Sequence, residues 1–214
     1  IRQAAARLHY VPNHLARSLS SRRSHVIGVM LTDMENRFYV APLEEFQAGA
    51  DRAGLAVSVK FSGWDPVRED AGLRQFCEAR VDGLIWVPTG IQEGIQASAV
   101  LEKLRAASIP IVTMGSESLR RMGIAHCVGM QSVDALHCGA SYLMNLGHRR
   151  IGFATAASKS GMRGKMHRTR LEKARIVLAE SGGVLRDEDI FDTTDNEYGG
   201  VAIAASLVQR ERSD

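Results

Sequence analysis

The chain has 214 residues, of which 45% are apolar and 24% are charged, and its formal net charge is +3. This composition is ordinary for a globular protein, and the length allows one large domain or two small ones. No apolar run reaches the roughly 18 to 20 residues of a membrane span, and the chain does not open with a secretion signal. We therefore expect a cytoplasmic protein with no membrane partner.

Cysteine and histidine show no pattern of a metal site or a disulfide framework. The three cysteines are odd in number and lack paired spacing, and the seven histidines never stand at HExxH spacing. Reduced thiols and surface or capping histidines fit these facts better than zinc does. We expect neither a metal nor a cofactor. The chain also begins at Ile1 without an initiator Met, so we expect a fragment cut at both ends.

The first 25 residues differ in charge from the rest of the chain. They contain five arginines, three histidines and no acidic residue, whereas the remainder is close to neutral. A basic arm on a neutral body favours a polyanionic partner for the arm. On charge alone, a solvated cationic helix is an equally good interpretation. Within this arm, a helical segment ends before Pro12, a second short helix is capped by Asn13, and a polar linker ends near Ser24.

After residue 24, predicted strands and helices alternate. Residues 26–31 form a continuous apolar run of strand length, and further strands are predicted at 55–60, 81–87, 109–113, 126–128, 151–155 and 189–192. Helices are predicted over residues 38–53, 65–79, 96–107, 133–146, 170–181 and 197–209, with a Gly- and Arg-rich loop before residue 170. Such alternation predicts an α/β fold in which a parallel sheet has helices on both sides.

Five short motifs stand in a fixed order along these elements. Residues 10–19 fit the pattern Y-x-P-N-x-x-A-R-x-L, and IGV (27–29), VDGLI (81–85), IPIV (109–112) and LGHRRI (146–151) follow. In combination and order these motifs resemble the LacI/GalR family of bacterial transcription regulators, over residues 1 to about 179. The resemblance implies the last helix of a helix-turn-helix headpiece and a hinge helix, followed by two Rossmann-like lobes of periplasmic-binding-protein type. The second lobe is incomplete in this chain.

This resemblance divides the chain into three parts. Residues 1–24 are the C-terminal part of the DNA-binding headpiece with the hinge helix, 25–147 the first lobe, and 148–214 a partial second lobe. On the hinge helix Ala16 and Leu19 share one face, a pattern that by itself fits an ordinary core leucine equally well. In the family, paired hinge helices enter the minor groove, the leucine opens a base step, and arginines contact phosphates. The implied DNA-binding residues are Tyr10, Asn13, His14, Ala16, Arg17, Leu19, Arg22 and Arg23.

The resemblance also implies an effector site between the lobes, at the carboxyl ends of the strands. Phe38 and Tyr39, after the first strand, would offer aromatic faces to a sugar ring, although packing at a helix start explains them too. Arg170, at the start of the helix after the Gly- and Arg-rich loop, would bind effector oxygens through its fork of donors. Its alternative role is a solvated cation. Gln131 completes the implied effector-binding set.

Three departures from the family pattern change the predicted pocket. Gln131-Ser132 stands in place of Asp-Asn, Arg37 in place of proline, and Lys173-Ala174 in place of Gly-Phe or Gly-Tyr. A site that loses a carboxylate and gains arginine favours an anionic ligand. We therefore expect a sugar acid of the gluconate type, rather than a neutral sugar, as the effector.

Two other classes of protein use the same scaffold. A dinucleotide enzyme needs G-x-G-x-x-G after the first strand, but residues 32–36 read TDMEN, and neither a Walker motif nor G-x-S-x-G occurs. A periplasmic sugar-binding protein would not place the hinge motif before the first strand. The family resemblance therefore implies a homodimeric DNA-binding regulator without enzymatic activity, a repressor whose operator affinity depends on a small sugar or sugar-acid effector.

Overall fold

The computed structural model describes residues 7, 23–34, 37–89, 99–115, 124, 126–129, 132–156, 161–194 and 197–211. Within them the strands are β1 Val26–Leu31, β2 Ala56–Phe61, β3 Gly83–Trp86, β4 Ile111–Gly115, β5 His126–Gly129, β6 Phe153–Thr155 and β7 Ile190–Asp192. The helices are α1 Val40–Arg52, α2 Pro66–Glu78, α3 Ala99–Ala106, α4 Ser132–Asn145, α5 Gly161–Glu180 and α6 Glu197–Glu211, with 3-10 turns at Arg37–Tyr39 and Asp187–Asp189. The predicted helices of the basic arm fall outside the described residues, except for Arg7.

Strands β1 to β5 form one parallel sheet in the order β2-β1-β3-β4-β5. In its centre Val29 of β1 pairs with Val59 of β2 on one side and with Ile85 of β3 on the other. The chain leaves β1 for β2 at the sheet edge and then returns to β3, so the strand order reverses between β1 and β3. Loops diverge from the carboxyl ends of the strands at such a reversal and leave a crevice, where open α/β sheets bind ligands.

The sheet is buried on both faces. Met30 packs with Leu73 and Phe76 of α2 and with Leu104 of α3, whereas Val29 and Leu31 belong to a separate cluster with the aromatic and aliphatic side chains of α1. Successive residues of a strand point to opposite faces, so a strand covered on both sides must be apolar throughout. The run VIGVML meets this requirement. Full burial of one Leu or Met side chain stabilises the fold by about 1.5 to 3 kcal/mol.

A second, smaller core forms around β6 and β7, which pair in parallel with Ala154 opposite Phe191. Helix α5 joins these two strands, and its buried Ala174, Val177 and Leu178 pack with Ala140 of α4. The predicted division at residue 147 left α4 with the first lobe, whereas its contacts assign it to the second core. The helix pattern in the sequence identifies an apolar face and not the core that it covers. The division into domains stays a prediction.

Not every helix is covered on its apolar side. Helix α6 leaves Tyr198, Val201 and Val208 exposed, and neither described core includes them. Among the described residues, no helix combines the length and the apolar character needed to cross a bilayer.

Candidate functional site

The loop after β1 places two aromatic residues at the carboxyl edge of the large sheet. Phe38 and Tyr39 lie in the 3-10 turn that leads into α1, and their rings meet edge to face, with centroids 5.3 Å apart and planes at 79°. Phe38 is 45% exposed, whereas the Tyr39 ring packs against the cluster of Val29 and Leu31. Tyr39 therefore packs at the start of the helix, as in the alternative that we weighed, and Phe38 is partly exposed to solvent.

The hydroxyl of Tyr39 lies in a charged environment shared by both cores. Burial raises the pKa of Tyr39 above its ordinary value, the negative charge of Asp33 also raises it, and the positive charge of Arg170 lowers it. Asp33 belongs to the loop after β1, but Arg170 belongs to α5 of the second core. Tyr39 thus lies within electrostatic range of Arg170, a second residue predicted for the effector site, which belongs to the other core.

We had predicted that Arg170 begins its helix, and this prediction was wrong. Helix α5 starts at Gly161, so Arg170 lies in its middle. The glycines and arginines between 161 and 169 resemble a loop in composition, but glycine costs only about 1 kcal/mol inside a helix, and Met, Lys and Arg are good helix formers. The packing of one helix face outweighs that cost. This face carries Arg163, His167, Arg170 and Ala174, at helical spacings of four, three and four, and His167 is only 4% exposed.

A third aromatic residue, Trp64, borders the same cleft. It follows β2, its indole N–H donates a hydrogen bond to the Asp33 carboxylate, and the guanidinium of Arg163 lies 5.9 Å from its ring centroid. Sequence reasoning did not identify Trp64. The available signal was the run Ser62-Gly63-Trp64-Asp65-Pro66, in which turn residues surround a large aromatic one.

A buried polar network ties the strand ends together beneath this cleft. Thr89 donates its hydroxyl to Ser62 Oγ at 2.6 Å, and its backbone N–H donates to Glu69 Oε2 at 2.6 Å. Ser62 in turn approaches the carbonyl oxygen of Thr32 at 3.5 Å. Burial raises the pKa of Glu69, while hydrogen bonds with Thr89 lower it and the charge of Asp70 raises it. The ends of β1, β2 and β3 are therefore joined by one set of hydrogen bonds.

A further contact joins the two sides at the surface. Arg37, next to Phe38, forms an ion pair with Glu197 at the start of α6, and both side chains are largely exposed. Exposed pairs of this kind contribute little, about 0 to 1 kcal/mol. Arg37 is thus engaged with an acid rather than directed as a free cation toward a ligand.

Most of the other predicted site residues are not among those that the structure describes. Tyr10, Asn13, His14, Ala16, Arg17, Leu19 and Arg22 lie outside the described residues, as does Gln131, whereas Arg23 is described and exposed. Within the described residues, no three side chains of His, Cys, Asp or Glu come together as a metal site.

Similar proteins are regulators of transcription. DegA, an HTH-type transcriptional regulator of Bacillus subtilis (strain 168), is 28% identical over 203 residues, which cover 94% of this chain and 57% of that protein. GntR, an HTH-type transcriptional regulator of Pseudomonas aeruginosa, is 29% identical over 176 residues, which cover 81% of this chain and 49% of that protein. The chain thus spans about half the length of these relatives. No family model matches it.

Solved structures share the fold. A LacI-family transcriptional regulator from Silicibacter pomeroyi superimposes with a TM-score of 0.67 and 26% identity, over 88% of this chain and 53% of that one. The periplasmic binding protein of an arabinose transporter from Shewanella sp. ANA-3 reaches a TM-score of 0.65 over 87% of this chain and 61% of that one. Its 14% identity makes this a likeness of fold alone.

These comparisons and the parallel sheets define the class of protein. The fold is an α/β fold of periplasmic-binding-protein type with a partial second lobe, as the sequence predicted. Within that class, the chain is similar to the LacI family of transcriptional regulators, because its curated relatives and its structural neighbours are regulators of that family. The resemblance drawn from the five sequence motifs is confirmed.

Proposed function

We propose that the complete protein is a DNA-binding transcriptional repressor whose operator affinity is controlled by a small carbohydrate or sugar acid bound in the cleft. The observation that carries this proposal is the juxtaposition of the loops after β1 and β2 with α5, in which the Arg163 guanidinium lies 5.9 Å from the Trp64 ring centroid and Arg170 is within electrostatic range of Tyr39. A ligand that contacts both Tyr39 and Arg170 binds more tightly when the two lobes are close together. Such a ligand shifts the equilibrium between lobe arrangements by its difference in affinity for them.

The charges around the cleft support a sugar acid over a neutral sugar. Helix α5 presents Arg163 and Arg170 on the face that carries the buried His167, and Asp33 is the acid opposite them. A guanidinium binds a carboxylate with two parallel hydrogen bonds, so it distinguishes an acid from a polyol. Phe38, exposed beside Tyr39, provides an apolar face for the carbon skeleton of the ligand.

A binding experiment tests the ligand class. Isothermal titration of the complete protein with gluconate and with glucose should give tighter binding of gluconate. Arg170→Gln should weaken gluconate binding by about 10-fold or more, the range for loss of a hydrogen bond to a charged group. Lys165→Gln, which removes a cation from the exposed side of the same helix, is the matched control and should bind as the wild type does. Tighter binding of glucose than of gluconate would refute the sugar-acid assignment.

The DNA-binding part of the proposal rests on the hinge motif and on the relatives. The motif places Leu19 and Ala16 on one helical face with Arg17, Arg22 and Arg23 beside them, and the relatives include HTH-type transcriptional regulators and the ribose operon repressor of Escherichia coli. We propose that two such helices act together in a homodimer, with Leu19 as the wedge in the minor groove. We also propose that the protein works in the cytoplasm and has no enzymatic activity.

DNA binding by the complete protein can be measured by fluorescence anisotropy, with a duplex from the region upstream of its own gene. Each phosphate contact contributes a slope of about 0.9 to the fall of log K with log salt, so Arg17→Ala should reduce the slope by about 1. Leu19→Ala should weaken binding with little change in slope. The control is Arg105→Ala, whose ion pair with Glu102 lies in the first lobe. Absence of duplex binding at low salt, with and without gluconate or glucose, would refute the proposal and would favour a periplasmic-type sugar-binding protein.

A further inference from the structure

The turn after β2 holds a tryptophan in an unusual backbone conformation. The Asp65 N–H donates to the Ser62 carbonyl at 3.2 Å, and the two central residues, Gly63 and Trp64, have φ angles of 64° and 63°. Positive φ at both central positions defines a type I′ turn, which favours Gly, Asn or Asp there. A bulky side chain persists in such a conformation only when its surroundings hold it in place.

Hydrogen bonds from the first lobe fix this turn. The backbone N–H groups of Ser62 and Gly63 donate to the carbonyls of Leu31 at 2.9 Å and Thr32 at 2.6 Å, which continues the pairing of β2 with β1 beyond the strands. The indole N–H of Trp64 donates to the carboxylate of Asp33, in the loop after β1. Both the backbone and the ring plane of Trp64 are therefore set by the first lobe.

The face of this fixed ring meets the second core. The Arg163 guanidinium lies over it at 5.9 Å from the centroid, and Arg163 stands in the first turn of α5, which packs in the second core. A guanidinium over an indole is attracted by the negative face of the ring, and this attraction grows when water is partly excluded. Both residues are half-buried. The contact thus links a rigid part of one lobe to a helix of the other.

We propose that Trp64 is a positioning residue: anchored by Asp33, it holds Arg163 and with it the N-terminal end of α5 against the first lobe when no ligand is bound. Arg163 lies seven residues before Arg170 in α5, so the pair supports the contact of the same helix with the first lobe. This inference does not depend on the identity of the effector or on DNA binding. Removal of the contact shifts the balance toward separated lobes by the free energy of the cation–π interaction, about two- to five-fold in the equilibrium constant at a partly exposed site.

Tryptophan fluorescence tests this directly in the complete protein without ligand. Trp86, the other tryptophan of this chain, is buried in the core, and the contribution of Trp64 is the part of the acrylamide quenching that is lost in Trp64→Phe. Arg163→Gln should raise the quenching constant about two-fold, and Arg163→Lys, which keeps a cation, should restore part of the protection. The matched control is Lys165→Gln, which removes one positive charge from the exposed side of the same helix. Equal quenching in Arg163→Gln and Lys165→Gln would overturn the proposal.

A second measurement separates positioning from a general loss of structure. The indole N–H proton signal of Trp64 can be assigned by its disappearance in Trp64→Phe. In folded protein, Arg163→Met should shift this signal more than Arg163→Lys does, because only the methionine variant lacks the cation over the ring. Small-angle scattering should show a larger radius of gyration for Arg163→Met than for Arg163→Lys. Identical signals and radii in the two variants would equally overturn the proposal.

Discussion

Arg150 and Asp189 form a two-pronged ion pair that links the segment before β6 to the turn before β7. Arg150 Nε donates to both carboxylate oxygens of Asp189 at 3.0 and 2.9 Å, and Nη2 donates to Oδ1 at 2.8 Å. The Asp189 side chain is 8% exposed, while that of Arg150 is 60% exposed. A buried carboxylate with this many charge-assisted hydrogen bonds depends on its partner. The pair therefore fixes how the two strands of the second core align.

Loss of the guanidinium should destabilise the second core. Arg150→Ala leaves a buried carboxylate without its charged donor, which costs about 1 to 3 kcal/mol of unfolding free energy. Arg150→Lys should recover only part of this, because an ammonium cannot make the two-pronged contact. Urea denaturation measures both. The control is Arg186→Ala, whose ion pair with Glu188 is exposed and contributes about 0 to 1 kcal/mol. Equal effects of Arg150→Ala and Arg186→Ala would contradict this account.

The C-terminal end of α3 offers a stabilising substitution. Ser108 has a φ of 53°. Its backbone N–H donates to the Arg105 carbonyl at 2.8 Å, and the backbone N–H of Ile109 donates to the Leu104 carbonyl at 3.0 Å. This pair of hydrogen bonds defines a Schellman motif. A left-handed conformation costs a non-glycine residue about 1 to 2 kcal/mol, and glycine loses about 0.5 to 1 kcal/mol through its freedom in the unfolded chain. Ser108→Gly should therefore stabilise the protein by about 0.5 to 1 kcal/mol.

The matched control is Gly54, which ends α1 in the same way, with a φ of 67° and no atom within 4 Å of an added Cβ. Since no atom obstructs that Cβ, Gly54→Ala measures the conformational cost alone and should destabilise by about 1 kcal/mol. Thermal or urea unfolding of both variants gives the comparison. A destabilising Ser108→Gly beside a destabilising Gly54→Ala would be inconsistent with the assigned backbone strain.

The buried acid beneath the cleft should make stability depend on pH. Burial raises the pKa of Glu69, so the folded state binds its proton more tightly than the unfolded state does. The resulting stabilisation is complete below the unfolded pKa of about 4.3 and is lost as the pH rises through the higher folded value. Glu69→Gln has no such proton, and its amide oxygen can still accept the hydrogen bond from the Thr89 backbone. From acid to neutral pH the variant should therefore gain stability relative to the wild type.

Denaturation midpoints measured from about pH 4 to pH 7 test this sign. Glu78→Gln, on the exposed last turn of the same helix, is the control for a change of charge at the surface. The physical account fails if Glu69→Gln loses stability relative to the wild type as the pH rises over that range.

Close packing explains a glycine in the centre of β1. A Cβ at Gly28 would lie 2.9 Å from Cδ1 of Phe76, a ring that is 1% exposed and has no space to move into. Gly28→Ala should cost about 1 to 3 kcal/mol through overpacking. By contrast, Gly139 of α4 has no atom within 4 Å of such a Cβ, so Gly139→Ala should stabilise by about 1 kcal/mol through helix propensity. Melting temperatures that move in the same direction for both variants would count against this interpretation.

The order and type of the elements could be read from local patterns. The apolar run of β1 and the Asp65-Pro66 start of α2 each carry their signal within a few residues, and the Asp65 side chain accepts the capping hydrogen bond from Val67 at 2.8 Å. The family resemblance was equally local, since each of its motifs is a short run of adjacent residues. Where the local composition favoured a loop and the packing favoured a helix, the prediction from local composition was wrong. The glycines before Arg170 predicted a loop, but burial of the face with His167 and Ala174 makes that segment helical.

Sequence by itself determined the alternation of strands and helices, the parallel sheet and the kind of regulator that the chain resembles, because those properties follow from side chains that are neighbours along the chain. Only the tertiary structure decided that α4 packs in the second core, that Tyr39 lies within electrostatic reach of Arg170, and that Trp64 stands between Asp33 and Arg163. These contacts join residues up to 131 positions apart, from Tyr39 to Arg170. They depend on how separate elements pack, and no local periodicity records which faces will meet.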